Sequence, residues 1–292
     1  MGALWITVNG TSTLGMTGPI NEENTMKKLI LATLCFIGVV SSAFAETITV
    51  DGTIVDGNTY TSQLSVKAHN VIVRNCTFLL PINAGSYGLS NVYYDSNSQP
   101  RSTNLLVENC TFRGSNSSAV YVQYARVIGN DIQECGADAI KISTKGHCRI
   151  IGNYIARIGR NSGSHADGLQ MTGGSDVMIA YNHFDMPVSF ADANGYNSNA
   201  CIIIQTQLAP VERILIWGNH FQGGNYTVYI TEHASGGIPS PTRIRFNDNT
   251  FGTDFRFGVL QWDYDPWIQV NGNVWDDGTF MDINTWDDWP NQ

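Results

Sequence analysis

The sequence predicts an all-β chain wound as a single-stranded right-handed parallel β-helix, a solenoid, and three observations predict it. A short phrase recurs eight times: VIVRNCTF (71–78), LLVENCTF (105–112), ARVIGNDI (125–132), RIIGNYI (149–155), VMIAYNHF (177–184), ILIWGNHF (214–221), RIRFNDNTF (243–251) and WIQVNGNVW (267–275). Aligned, the copies share a column of Cys76, Cys110, Asn130, Asn153, Asn182, Asn219, Asn249 and Asn273. The residue before it is Asn75, Asn109, Gly129, Gly152, Tyr181, Gly218, Asp248 or Gly272. Gly, Asn and Asp tolerate positive φ, so most copies suit a left-handed bend between two strands. Successive column residues are 34, 20, 23, 29, 37, 30 and 24 apart. The short intervals fit one coil and the long ones a coil plus a loop. A β-propeller repeats every ~40–50 residues and needs hairpin turns that are scarce here.

The elements follow in chain order. Residues 1–25 read as an upstream extension of the reading frame, ahead of Met26. Residues 26–45, MKKLILATLCFIGVVSSAFA, open with Lys27 and Lys28, continue as an apolar stretch and close on Ala43-Phe44-Ala45. That is a bacterial-type signal peptide, too short to span a membrane, and it predicts a secreted or periplasmic protein. The mature domain is then 46–292, long enough for one continuous core. A second strand precedes most copies of the phrase: AVYVQ (119–123), AIKIS (139–143), GLQMT (168–172), ACIIIQ (200–205), TVYIT (227–231) and VLQWD (259–263). These mostly alternate apolar and polar residues with period two. Gly-, Ser-, Asn- and Pro-rich insertions at 81–103, 186–199 and 232–242 are expected as loops on one face. Residues 276–292, with the nearby Trp- and Asp-rich segment at 262–267, are expected to cap the last coil.

Charge and cysteine content bound the partners. The net charge is −9, and removing 1–45 takes two Lys and two Glu, leaving it unchanged. Nucleic acid and anionic membranes are disfavoured, no span remains in the mature chain, and a monomer is expected. Cys76, Cys110, Cys135, Cys148 and Cys201 remain after processing, without zinc-ligand spacing. Cys76 and Cys110 share a column on adjacent coils, close enough for either a disulfide or two packed thiols.

Two consecutive coils open alike, with Ala137-Asp138-Ala139-Ile140-Lys141 and Ala166-Asp167-Gly168-Leu169-Gln170. Coil stacking places Asp138 beside Asp167 and Lys141 beside Gln170, with His165 two residues before Asp167. Tyr121 extends this row on one side, Tyr229 and Gln261 on the other. Aromatic faces meet sugar C–H groups and amides meet hydroxyls, so the row suits a polysaccharide. Asp138, Lys141, His165 and Asp167 are the candidate catalytic residues, and Tyr121, Gln170, Tyr229 and Gln261 the candidate substrate contacts. Strict alternation sends Asp167 inward, so it must sit in the bend before its strand, where Gly168 frees the backbone. The structural alternative is that both carboxylates cap backbone N–H groups.

The segment DGLQMTGGSDVMIAYNHF (167–184) resembles the pectate lyase-like superfamily, and the repeats over 71–275 resemble right-handed parallel β-helix proteins generally. The resemblance implies a carbohydrate-active fold and matches Asp167 to the first Asp of the lyase Asp-Gly motif, in the calcium and substrate region. Met171 stands where that family has its second acidic residue, and the Arg-x-Pro-x-x-Arg segment is absent. The leading reading is a polysaccharide lyase acting by β-elimination on a uronic-acid polymer, with Lys141 or His165 as base and Ca2+ held by Asp138 and Asp167. A glycoside hydrolase using Asp138 and Asp167, and a non-catalytic glycan-binding or cell-surface β-helix, are the rivals.

Overall fold

A computed structural model describes residues 45–81, 86–161, 163–231, 238–262 and 268–281, with the strands Leu4–Val8 and Ser12–Met16. The expected signal peptide except Ala45, most of the upstream extension, residues 263–267 and residues 282–292 of the expected cap lie outside the described residues. Contacts divide the chain into two units, 1–38 and 39–292. In the first, Leu4–Val8 and Ser12–Met16 pair antiparallel.

The second unit is the solenoid. It has three parallel sheets of nine strands, and each coil gives one strand to each sheet in turn. Sheet I holds Leu64–Val66, Val120–Val122, Ile140–Ile142, Ala166–Met171, Ser198–Gln205, Tyr226–Thr231 and their neighbours. Sheet II holds Ala125–Ile128, Arg149–Ile151, Gly174–Ala180, Val211–Trp217 and Thr242–Asn247 among others. Sheet III includes Thr111–Gly114, Tyr154–Ala156, His183–Met186 and His220–Gly223.

Alternation drives the winding. The strands turn apolar residues inward, many of them β-branched or aromatic, and stacking brings equivalent positions into columns. Sheet II stacks Val73, Val107, Val127, Ile150, Ile179 and Ile216 in register, all fully buried. Sheet III stacks Tyr60, Phe78 and Phe112 with ring centroids 5.0 and 4.4 Å apart. Each such buried side chain contributes roughly 1.5–3 kcal/mol.

The recurring phrase is the corner between sheets II and III. All eight predicted bend residues are left-handed, from φ 52° at Asn109 to 69° at Gly272. Each ladder Asn before the last, Asn273, donates its backbone N–H and its Nδ2 to the Oδ1 of the next, as Asn130 does to Asn153 at 3.0 and 2.9 Å. Its Nδ2 also reaches a carbonyl one coil back, Val107 O at 3.1 Å for Asn130. Cys110 takes the same place with its thiol, whose Sγ lies 3.7 Å from Val73 O. All five described cysteines are buried free thiols, so Cys76 and Cys110 pack rather than bridge. A ninth copy, IVDGNTY (54–60), bends at Gly57 (φ 73°) and precedes the eight read from sequence.

Two corners differ from expectation. Between sheets I and II, Asn70, Asn104, Tyr124, His147, Asp176, Arg213 and Arg243 are all left-handed, φ 48–59°. This second row was not foreseen, because no single residue type marks it. The insertion at 186–199 contains a helix, α1 (Val188–Asn194), which begins after Pro187 and is ended by left-handed Gly195, φ 74°.

Candidate functional site

Sheet I presents the predicted row on its outer face. The register runs Ser65, Ser90, Tyr121, Lys141, Gln170, Ile203, Tyr229, Gln261. Tyr121, Lys141, Gln170, Tyr229 and Gln261 are all half-buried and aligned as expected. Ile203 was missed. It sits between Gln170 and Tyr229, 7 % exposed, because a bulge at Ala166/Asp167 shifts the pairing of the next coil by one residue. From Tyr121 to Tyr229 the row covers four inter-strand steps, about 19 Å at the usual spacing.

Aromatic clusters lie at both ends. Tyr121 tilts against Tyr87 at 4.9 Å, and burial is the main cause raising its phenol above the ordinary range. In the insertion after Ser90, Tyr93 bonds Ser65 Oγ at 2.8 Å and lies under Lys67 Nζ at 4.7 Å. Tyr94 donates to Gln123 Oε1 at 2.7 Å. At the other end Tyr226 meets Tyr229 edge-on at 5.1 Å and Phe257 at 5.6 Å. The insertion around α1 is tied to 254–256 by Ser189–Asp254 and Arg256–Asp192 hydrogen bonds.

Asp138 and Asp167 meet, but inside. They are 7 % and 1 % exposed, so the expectation that Asp167 is re-aimed to solvent is corrected. Gly168 has no positive φ. Its lack of a side chain makes room instead for Cys201 O and the Phe184 ring, each 2.6 Å from where a Cβ would stand. The two carboxylates belong to a polar chain along the corner into sheet I. Asp138 Oδ1 accepts the Asp167 backbone N–H at 3.0 Å and Oδ2 accepts the Ser118 hydroxyl at 3.3 Å. Asp167 Oδ1 accepts from Asn199 Nδ2 at 2.9 Å and Oδ2 from Gln170 Nε2 at 3.5 Å. Asn225 continues the chain to Asn199 at 3.5 Å, and Arg256 Nε reaches Asn225 at 2.8 Å.

Burial pushes both carboxyls up. For Asp167 the negative charge of Asp138 adds to it, holding the group well above the usual carboxylate range. For Asp138 burial outweighs the Asp167 N–H, the Lys141 charge and the Ser118 hydroxyl. Gln170 Oε1, at the other end of the amide that donates to Asp167, is buried without a donor among the described residues.

These residues do not fit calcium. Ca2+ takes six to eight oxygens, whereas all four carboxylate oxygens here already accept donors, and no cluster of metal-ligand type occurs among the described residues. His165 is exposed at the loop end before Ala166–Met171. Arg157 and Arg160 pair with Glu134 at 3.7 and 3.1 Å. No helix among the described residues is long and apolar enough to cross a membrane.

Solved structures share the winding. The catalytic unit of a thermostable GH87 α-1,3-glucanase from Streptomyces thermodiastaticus strain HF3-3 aligns with TM-score 0.50 and 14% identity, over 85% of this chain and 53% of that one. This chain therefore spans about half the length of the glucanase unit. PfbA, a surface adhesin of Streptococcus pneumoniae, aligns at TM-score 0.48 and 12% identity, covering 84% of this chain and 75% of its own. At these identities the likeness is one of fold. No curated protein sequence matches the chain. The model of the right handed beta helix region matches residues 90–275, and with three parallel sheets wound in register the chain belongs to that family.

Proposed function

We propose that the outer face of sheet I binds a polysaccharide, and that the protein is a secreted lyase acting there on a uronic-acid polymer. One observation carries this reading: Tyr121, Lys141, Gln170, Ile203, Tyr229 and Gln261 line up on one face, with aromatic clusters at both ends and insertions along both edges. Sugar rings stack on the tyrosines, amides bond the hydroxyls, and Lys141, the row's one cation, pairs with a uronate carboxylate. β-Elimination needs a base for the proton at C5 and positive charge for the developing enolate. Lys141 supplies the charge, and His165 is the exposed group nearby in sequence that can take the proton. Hydrolysis by Asp138 and Asp167 is disfavoured, because that chemistry needs two carboxyls open to the glycosidic bond and both are buried.

The same burial favours a second reading, a non-catalytic glycan-binding β-helix. Affinity electrophoresis of the protein through polyuronates and neutral glycans, with ultraviolet detection of unsaturated products, tests both. Retarded migration in polyuronate is expected, with Lys141→Ala and Tyr229→Ala each weakening it about tenfold, the loss of roughly one charged contact in the first and one ring stack in the second. Retardation without unsaturated product leaves the binding reading alone. No retardation by any glycan, or unaffected variants, refutes the sheet I assignment.

A further inference from the structure

The outer face of sheet II carries charge of the opposite sign to the chain as a whole. Arg126, Arg149, Arg213, Arg243 and Arg245 lie on it or on the corner leading into it, all exposed. They are five of the sixteen Lys and Arg in a chain of net charge −9. In the corner row His147, Asp176, Arg213 and Arg243 occupy successive coils. Asp176 takes His147 at 3.5 Å and is gripped by Arg213 through Nε and a terminal nitrogen at 2.7 and 2.8 Å. This forked pairing holds the Asp176 carboxyl well below its usual range. Glu212 pairs with Arg213 as well. Both acids are thus spent on one arginine. Among the described residues Arg126, Arg149, Arg243 and Arg245 have no ion-pair partner.

These cations surround space. A concavity of about 530 Å³ is lined by Arg213, Arg243, Arg245, Gln269 and the strand segments at Ile214–Leu215 and Ile244, with no acid in its lining. A smaller one of about 320 Å³, next along the same face, includes Arg126 and Arg149. Leu215 and Met178 fill the outward row between Arg149 and Arg245. A guanidinium fork left open beside an apolar patch matches a planar anionic group carried on a sugar ring: carboxylate or sulfate on the arginines, ring C–H groups on Leu215, hydroxyls on Gln269. The volume lies within the usual range for one ligand unit. The overall negative charge disfavours a long polyanion wrapped around the surface.

We propose that the sheet II concavity is a second binding site, separate from sheet I, which takes an acidic sugar residue through Arg243 and Arg245. Titration calorimetry of the full chain with a heparin-derived tetrasaccharide, its desulfated N-acetylated form and inorganic sulfate tests this. The sulfated tetrasaccharide is expected to bind and to weaken as salt rises. Arg243→Gln with Arg245→Gln should lower its affinity at least about tenfold at unchanged melting temperature, while Lys141→Ala with Tyr229→Ala should leave it unchanged, even if sheet I binds nothing. Equal binding by the arginine variant, loss in the Lys141/Tyr229 variant, or no binding at all overturns the site. Sulfate alone, or single-stranded DNA of matched charge, binding as tightly as the tetrasaccharide overturns its assignment to a sugar.

Discussion

Replacing Asn182 by alanine tests what holds the coils in register. Asn182 is 1 % exposed and its side chain makes four hydrogen bonds. Oδ1 accepts the Asn153 backbone N–H at 3.0 Å and Asn153 Nδ2 at 2.9 Å, while Nδ2 donates to Ile150 O at 2.9 Å and Asn219 Oδ1 at 3.0 Å. Some partners keep other bonds. Asn153 Nδ2 retains Val127 O at 2.9 Å, and Asn219 Oδ1 retains the Asn182 backbone N–H at 2.9 Å. The Asn153 N–H loses the acceptor it has in the ladder and is left orphaned in a dry corner. That orphan costs about 1–3 kcal/mol, and the three other bonds about 0.5–1.5 kcal/mol each. The variant is therefore expected to lose about 3–7 kcal/mol in denaturant unfolding, with faster amide exchange at Asn153. Asn182→Cys should fall between, since a thiol keeps a weak donor facing a carbonyl as Cys110 does. A loss under about 1 kcal/mol, with Asn153 exchange unchanged, refutes the ladder as the source of register.

Three more expectations follow from the same geometry. Asp167 has a raised folded-state pKa, so its neutral form supports folding fully below the unfolded value of 3.8 and that support is lost as pH rises toward the folded value. Asp167→Asn, which cannot ionise, should flatten the fall in melting temperature as pH rises above about 4; an unchanged pH dependence counts against a raised Asp167 carboxyl. Gly223→Ala, whose methyl would overlap the Met186 carbonyl at φ 96°, should prevent soluble folding, whereas Gly152→Ala, with nothing within 4 Å at φ 65°, should cost only about 1–2 kcal/mol. Thiol titration of a 46–292 fragment should find no reactive cysteine when folded and five after unfolding without reductant, matching the five buried free thiols; three would reveal a Cys76–Cys110 bridge.

What was legible in the sequence was whatever a single residue type marks. The Asn column repeats because an amide both donates from its NH2 and accepts at its oxygen along the coil axis, so Asn130 through Asn273 announce their corner. The corner into sheet II has the same left-handed backbone but is filled by Asn, Tyr, His, Asp and Arg, whose shared requirement leaves no common letter. Asp138 and Asp167 were placed side by side correctly, because stacking fixes which residues meet. Alternation pointed Asp167 inward, but the donors that satisfy the pair there were not legible, because Ser118 and Asn199 arrive from neighbouring coils and Gln170 from the strand of Asp167 itself. Ile203 escaped for a related reason, since a one-residue bulge changes which residue of the next strand completes the row.

The position of the candidate site follows from that same ladder. Two residues, a bend and a column residue, separate sheet II from sheet III in every coil, as Gly152-Asn153 separate Arg149–Ile151 from Tyr154–Ala156. An amide that must reach both the coil before and the coil after admits no extra residue at that corner. The spread of column intervals, 20 to 37 residues, must then be absorbed at the other two corners, from sheet III into sheet I and from sheet I into sheet II. Sheet I is the one sheet bordered by both. Its outer face is where long insertions gather on either edge, bringing Tyr87, Tyr93 and Tyr94 to one end of the row and α1 and Phe257 toward the other. Sheets II and III each have one edge closed by the ladder, so the sheet II arginines sit beside a single variable corner, and a ligand there is held by side chains on strands rather than by loops.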